Sequence, residues 1–132
     1  MVKFVSINGT DWGVDVAIQG IERSFSVVED SNAGKAITAR KIRSIVGTEI
    51  GHKVTFLRLE NDYQTFDALW DWLVAHSVDE SVQVEIADGQ TTIAYEAYYT
   101  AAKQKLSVRN NGLNLWDAIE ITFIPIEPQV TP

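Results

Sequence analysis

Apolar and polar residues alternate with a period of two over most of this chain, and change to a helical period in one stretch only. Val2 to Ile7 predicts a first strand, closed by Asn8-Gly9, two residue types that tolerate positive φ. Trp12, Val14, Val16 and Ile18 alternate with Gly13, Asp15, Ala17 and Gln19. Gly20 is expected to break this strand. Ile21, Arg23, Phe25 and Val27 then alternate with Glu22, Ser24 and Ser26 in the next one. Arg23 occupies the apolar register, where its long stem can snorkel at a strand edge.

Thr48 to Leu59 recovers strand character, with Val54 and Phe56 on one face and Thr55 and Leu57 on the other. Val82, Val84 and Ile86 alternate with Gln83 and Glu85. Asp88-Gly89 signals a two-residue hairpin turn, and Thr91 to Thr100 is the expected partner strand. Lys103 to Val108 is a weaker strand ended by Arg109-Asn110-Asn111-Gly112. Leu115 to Ile124 is expected to be the last strand, with Ile119, Ile121 and Phe123 on one side and Pro125 and Pro128 stopping further pairing.

The period changes between Asp62 and Ala75, where Tyr63, Phe66, Trp70, Leu73 and Val74 form a helical apolar stripe and Leu69 and Trp72 widen it. Asn61 or Asp62 is the expected cap. The pattern dissolves between Glu29 and about Gly47, where Asp30-Ser31-Asn32-Ala33-Gly34 is turn chemistry. So long an irregular connection is uncommon inside a compact domain. Either it is a protruding loop, or Ala36 to Val46 runs partly as a strand in a protruding hairpin.

Composition narrows the class. With 132 residues and no Gly/Ser-rich or Pro-rich break, residues 1–132 are expected to form a single domain with a loop projecting at about 29–47. The chain has no cysteine, hence no disulfide framework, no thiol nucleophile and no cysteine-based zinc site. The first residues lack a signal-peptide core and no apolar run is long enough to span a bilayer, so no membrane partner and a cytoplasmic birthplace are expected. The net charge of -7 gives no basic footprint for nucleic acid. Lys35, Arg40, Lys41 and Arg43 nevertheless place four of the eleven basic residues within nine positions.

Candidate chemistry is sparse. His52 and His76 are the only histidines and neither sits in a metal-binding or catalytic pattern; His76 falls where a cation favours the helix dipole. Asp67 and Asp71 share a helix face at i, i+4, a mildly repulsive spacing that a solvated surface or an opposed cation relieves. Asn32-Ala33-Gly34-Lys35 lacks the spacing of a phosphate loop. Tyr95, Tyr98 and Tyr99 fall on both faces of one strand, so at least one belongs to the core, and core packing is also expected for most of Trp12, Trp70, Trp72 and Trp116. No catalytic residue, cofactor site or metal site is predicted.

The chain resembles a group of small proteins encoded in the tail-assembly region of tailed phages and prophages, chiefly of Gram-positive bacteria. The resemblance rests on Ile7-Asn8-Gly9, on Asn32-Ala33-Gly34 in a polar loop, and on the spaced Arg40 and Arg43 before Val46-Gly47-Thr48. It continues in the helix from Tyr63 to Leu73 and in the closing Leu115-Trp116-Asp117-Ala118-Ile119-Glu120-Ile121-Thr122-Phe123-Ile124. It covers nearly the whole chain, and none of its motifs is a chemical signature.

Such a resemblance implies a tail-tube-like fold, assembly into rings that are typically hexameric, and other phage tail proteins as partners. It also implies DNA passing through a lumen without sequence-specific contact, and a place in the virion tail after synthesis in the bacterial host cytoplasm. The long loop of such proteins contacts a neighbouring ring, which makes Lys35, Arg40, Lys41 and Arg43 the candidate inter-subunit contact. The expected fold class is α+β: an antiparallel β-sandwich or partly closed barrel with one flanking helix at about 62–75. A structural subunit of a tail tube or of a tail-tip or baseplate ring is the leading expectation. A monomeric ligand- or protein-binding module using the Tyr95, Tyr98 and Tyr99 strand is the alternative.

Overall fold

The computed structural model describes residues 5–12, 14–30, 34–35, 41–58 and 62–132. Among the described residues the fold is antiparallel β with one helix. The main sheet contains β1 (Val5–Ile7), β2 (Asp15–Glu29), β5 (Ile45–Leu57), β6 (Val82–Asp88), β7 (Thr91–Tyr98), β8 (Ala102–Lys103) and β11 (Ile119–Pro125). Their order is β1-β6-β7-β11-β5-β2, with β8 also paired to β11. The sheet curls as a half-barrel. Two small ladders stand apart from it: β3 (Gly34–Lys35) with β4 (Lys41–Ile42), and β9 (Leu106–Asn110) with β10 (Leu113–Trp116).

The helix α1 (Tyr63–Ala75) starts where the cap was expected, with Asp62 Oδ1 accepting from the Thr65 amide at 3.1 Å. His76 ends it: its amide donates to the Trp72 carbonyl at 2.9 Å. The buried stripe is Phe66, Leu69 and Leu73, and Val74 lies largely exposed instead of within it. That stripe packs into a single cluster with Val54 and Phe56 of β5, Val84 and Ile86 of β6, Tyr95 and Ala97 of β7, and Ile119, Ile121 and Phe123 of β11. The period-two alternation thus lays one face of β6, β7, β11 and the inner half of β5 on the core.

Four expectations need correction. Gly20 does not break the strand: β2 is continuous, and its register on β5 jumps from Val16 opposite Phe56 to Ile21 opposite Val54. The extra residues loop out with Gln19 at φ 59, and a Cβ on Gly20 would lie 2.6 Å from the Ala17 carbonyl oxygen. Glycine is therefore what lets this bulge fold tightly. Second, the weak strand from Lys103 and the last strand from Leu115 are each divided. Asn111 and Gly112, at φ 51 and 81, fold Leu113–Trp116 back onto Leu106–Asn110, and Asp117-Ala118 separates that hairpin from β11.

Third, Pro125 lies in β11 opposite Ala97, and pairing resumes beyond Pro128, where the Thr48 amide donates to the Val130 carbonyl at 2.8 Å. Proline removes only its own donor; the amide of Ile126 still donates to the Glu96 carbonyl at 3.0 Å. Fourth, Asp88 pairs with Thr91, so the two-residue turn is Gly89-Gln90, with Gly89 at φ 55 as the first turn position of a II′-type hairpin demands.

The carboxy-terminal segment clasps the far end of β5. Gln129 Oε1 accepts from the Ile50 amide and its Nε2 donates to the Ile50 carbonyl, both at 2.8 Å, so one side chain substitutes for a ladder partner. Gly47 makes this possible, since a Cβ there would lie 2.5 Å from the Val130 carbonyl oxygen and 2.6 Å from Pro128 Cβ.

Candidate assembly surfaces

The buried polar groups are structural fasteners. His52, opposite Arg23 on the core face of β5, is 1% exposed, and its Nδ1 is hydrogen-bonded to the Tyr95 hydroxyl at 2.7 Å. Nε2 has no hydrogen-bond partner. Burial pushes the His52 pKa down, with the Asp88 carboxylate opposing and the Arg23 guanidinium adding to the shift. Above this pair, Arg23 Nη1 donates to Asp88 Oδ1 at 2.8 Å and joins the edge strand β2 to the end of β6. Arg23 thus snorkels from an apolar register to a rim carboxylate.

Tyr99 donates to the Leu73 carbonyl at 2.7 Å, and burial together with the Asp79 carboxylate pushes its pKa up to about 12. Burial also raises the Tyr95 pKa. Of the three tyrosines of the alternative reading, Tyr95 and Tyr99 are therefore core residues, and only Tyr98 reaches solvent. The tryptophans are half-buried at the rim: Trp12, Trp70 and Trp72 pack against the core, and the His76 ring stacks on Trp72 at 4.1 Å.

A cleft of about 310 Å³ opens between α1 and the base of the β9–β10 hairpin, lined by Asp67, Trp70, Asp71, Gln104 and Trp116. Burial first and Asp71 second raise the Asp67 pKa, while Arg58 lowers it. Arg58 Nη1 also donates to the Trp116 carbonyl at 3.2 Å, so a cation of the chain itself already serves this corner. Among the described residues, no group of three or more His, Asp or Glu side chains is placed to hold a metal ion, and no helix is long and apolar enough to cross a membrane.

Residues Glu29 to Gly47 carry the basic cluster. Arg43 Nε donates to Glu29 Oε1 at 2.6 Å, and the Ser44 hydroxyl donates to Asp30 Oδ2 at 2.8 Å, closing the base of the segment. The β3–β4 register sets Lys35 opposite Lys41. Arg40 lies outside the described residues. The structure therefore brings Lys35 and Lys41 to one ladder and gives Arg43 an ion partner within the same hairpin.

The most distinctive surfaces are two hairpin arms that keep the apolar alternation of a buried strand and yet face solvent. Beyond His52, the core face of the β2–β5 ladder continues through Phe25, which is 75% exposed, with Val27 and Val46 beside it. The β9–β10 hairpin sets Leu106, Val108 and Leu113 on one face, each 44–49% exposed, and Ser107, Arg109 and Asn114 on the other. The alternation of Ile21, Arg23, Phe25 and Val27 is plain in the sequence, whereas Lys103 to Val108 reads only as a weaker strand and Leu113 falls in no expected strand. The signal that separates an arm from a core strand is the Asn111-Gly112 turn, which folds Leu113 away from β11.

Comparison with known proteins finds no matching family model and no matching curated protein.

Proposed function

We propose that this chain is a structural subunit that self-associates, and that it serves in the tail of a tailed phage or prophage, as a tail-tube subunit or as a ring at the tail tip or baseplate. The observation that carries the self-association is the pair of solvent-facing apolar arms beside a core that is already complete. Exposed contiguous apolar surface of this kind marks interaction sites in soluble proteins. The sequence resemblance to phage tail proteins supports the particular assembly. The binding-module alternative loses support, since two of its three tyrosines are buried and hydrogen-bonded within the fold.

The basic segment supplies the contact to a neighbouring subunit, in which arginine forks pair with carboxylates and charge complementarity sets the register. Reversing two charges, Arg40→Glu with Arg43→Glu, tests this. Arg43 is exposed and its surface pair with Glu29 contributes about 1 kcal/mol at most, so the variant should keep the wild-type circular dichroism spectrum. Its incorporation into tails, measured by its abundance in purified particles, should fall sharply. Wild-type incorporation would remove this segment from the assembly contact.

A further inference from the structure

We propose that the groove beside α1 binds an alkylammonium cation, with its charged head against Asp67 and Asp71 and its apolar tail in the adjoining hollow between Trp70 and Val74. This is a ligand site additional to the assembly role proposed above and independent of it. Two carboxylates one turn apart on a solvated helix are ordinary surface and repel each other mildly. These two instead line a cleft of about 310 Å³, with Trp70 of α1 on one wall and Trp116 of β10 on the other. Indole faces attract cations, and the attraction grows where water is partly excluded. Neither Asp67 nor Asp71 takes part in an ion pair among the described residues. Arg58 sets one positive charge against the two negative ones, and burial together with the Asp71 charge still holds the Asp67 pKa above its ordinary value. Gln104 engages its Nε2 with the Asp117 carbonyl, which leaves Oε1 to accept from a donor in the cleft.

The tail follows from the hollow next to the cleft. Trp70 also walls a second cavity of about 160 Å³, together with Leu73, Val74, Tyr99 and Ala102. Two hydroxyls at its rim are already engaged: Tyr99 donates to the Leu73 carbonyl and Ser77 to the Val74 carbonyl, both at 2.7 Å. What this cavity offers a ligand is therefore mainly apolar contact. Between Asp67 and Val74 the helix rises about 10 Å, so one small molecule reaches both cavities. Small-molecule pockets have this make-up, an apolar body with a few placed polar groups. A net charge of -7 attracts cations of every kind, whereas the two indoles and the neighbouring hollow select those that carry a hydrocarbon tail.

The probe is n-pentylammonium, and the readout is the indole N–H signals of the isotope-labelled chain in nuclear magnetic resonance spectra, assigned by single Trp→Phe variants. The Trp70 and Trp116 signals should shift saturably with a Kd on the order of 1 mM, while that of Trp12, which lines neither cavity, stays in place. Methylammonium has the head without the tail, and n-pentanol the tail without the head; each should bind at least about fivefold more weakly. The Asp67→Asn, Asp71→Asn double variant, checked for wild-type circular dichroism, should lose n-pentylammonium affinity by a similar factor. Nα-acetyllysine methylamide carries the same head and tail on a peptide unit. Tighter binding than n-pentylammonium supports a lysine side chain as the natural source, and weaker binding supports a free amine. Equal binding of n-pentanol, or unchanged affinity in the double variant, would overturn the cation site. Shifts that grow without saturating, or that fall equally on Trp12, would overturn the groove as a ligand site altogether.

Discussion

Phe123→Ala is expected to cost about 3–5 kcal/mol of folding stability, a large part of the ~5–15 kcal/mol that holds a domain of this size together. Phe123 is fully buried at the centre of the cluster. It lies on β11 opposite His52 of β5, and its ring meets Tyr99 edge-on at a centroid distance of 6.1 Å. Removing the ring therefore opens a cavity where the sheet and the Tyr99 segment tied to α1 converge, and takes away the edge-on contact as well. Collapse is resisted because β11 is paired on both sides, to β5 along one edge and to β7 and β8 along the other. Urea denaturation followed by tryptophan fluorescence checks this. A loss below about 1.5 kcal/mol, the range of volume-conserving changes, would mean that Phe123 does not sit at the packing centre.

The second large effect is a fall in stability as the pH drops below about 6.5, and it passes through His52. Its folded-state pKa lies below the ordinary 6.5 because the ring is buried. The unfolded chain therefore takes up the proton first as the pH falls. The contribution of neutral His52 is fully present above pH 6.5 and declines below it, at up to about 1.4 kcal/mol per pH unit until the folded-state pKa is reached. The groups facing the ring are Tyr95, the Asp88 carboxylate and the Arg23 guanidinium, and only Asp88 favours a charged imidazole. His52→Gln keeps a polar partner for Tyr95 and cannot titrate. Its thermal midpoint should depend less on pH across this window than that of the wild type, and an identical pH dependence would exclude His52 as the source.

Much of this architecture is legible in the sequence because one face of each main strand and one stripe of the helix are buried. Asp62, Tyr63 to Ala75, the alternations at Val82–Ile86 and Ile119–Phe123, and the Asn8-Gly9 turn all appear where local chemistry places them. The departures arise where tertiary pairing outweighs a local signal. Gly20 looks like a stop, but β2 continues past it along β5 with the extra residues looped out as a bulge. Pro125 looks like an end, but the alternate donor on Ile126 is the one the sheet uses.

The assembly surfaces were only half legible. Alternation tells that Phe25 belongs to an apolar face, but not whether the surface covering that face comes from the same chain, and Leu113 follows the Asn111-Gly112 turn in a strand too short to show a period. The basic cluster is plain from composition, whereas the Glu29 partner of Arg43 depends on a ladder between positions far apart in sequence.

Sedimentation velocity on the purified chain over a concentration series, alone and beside other tail proteins, tests the claim of self-association most directly. A discrete multimer of ring size is expected, formed at the expense of the monomer as concentration rises or when tail partners are added. A single monomeric boundary at every concentration and in every mixture would contradict it.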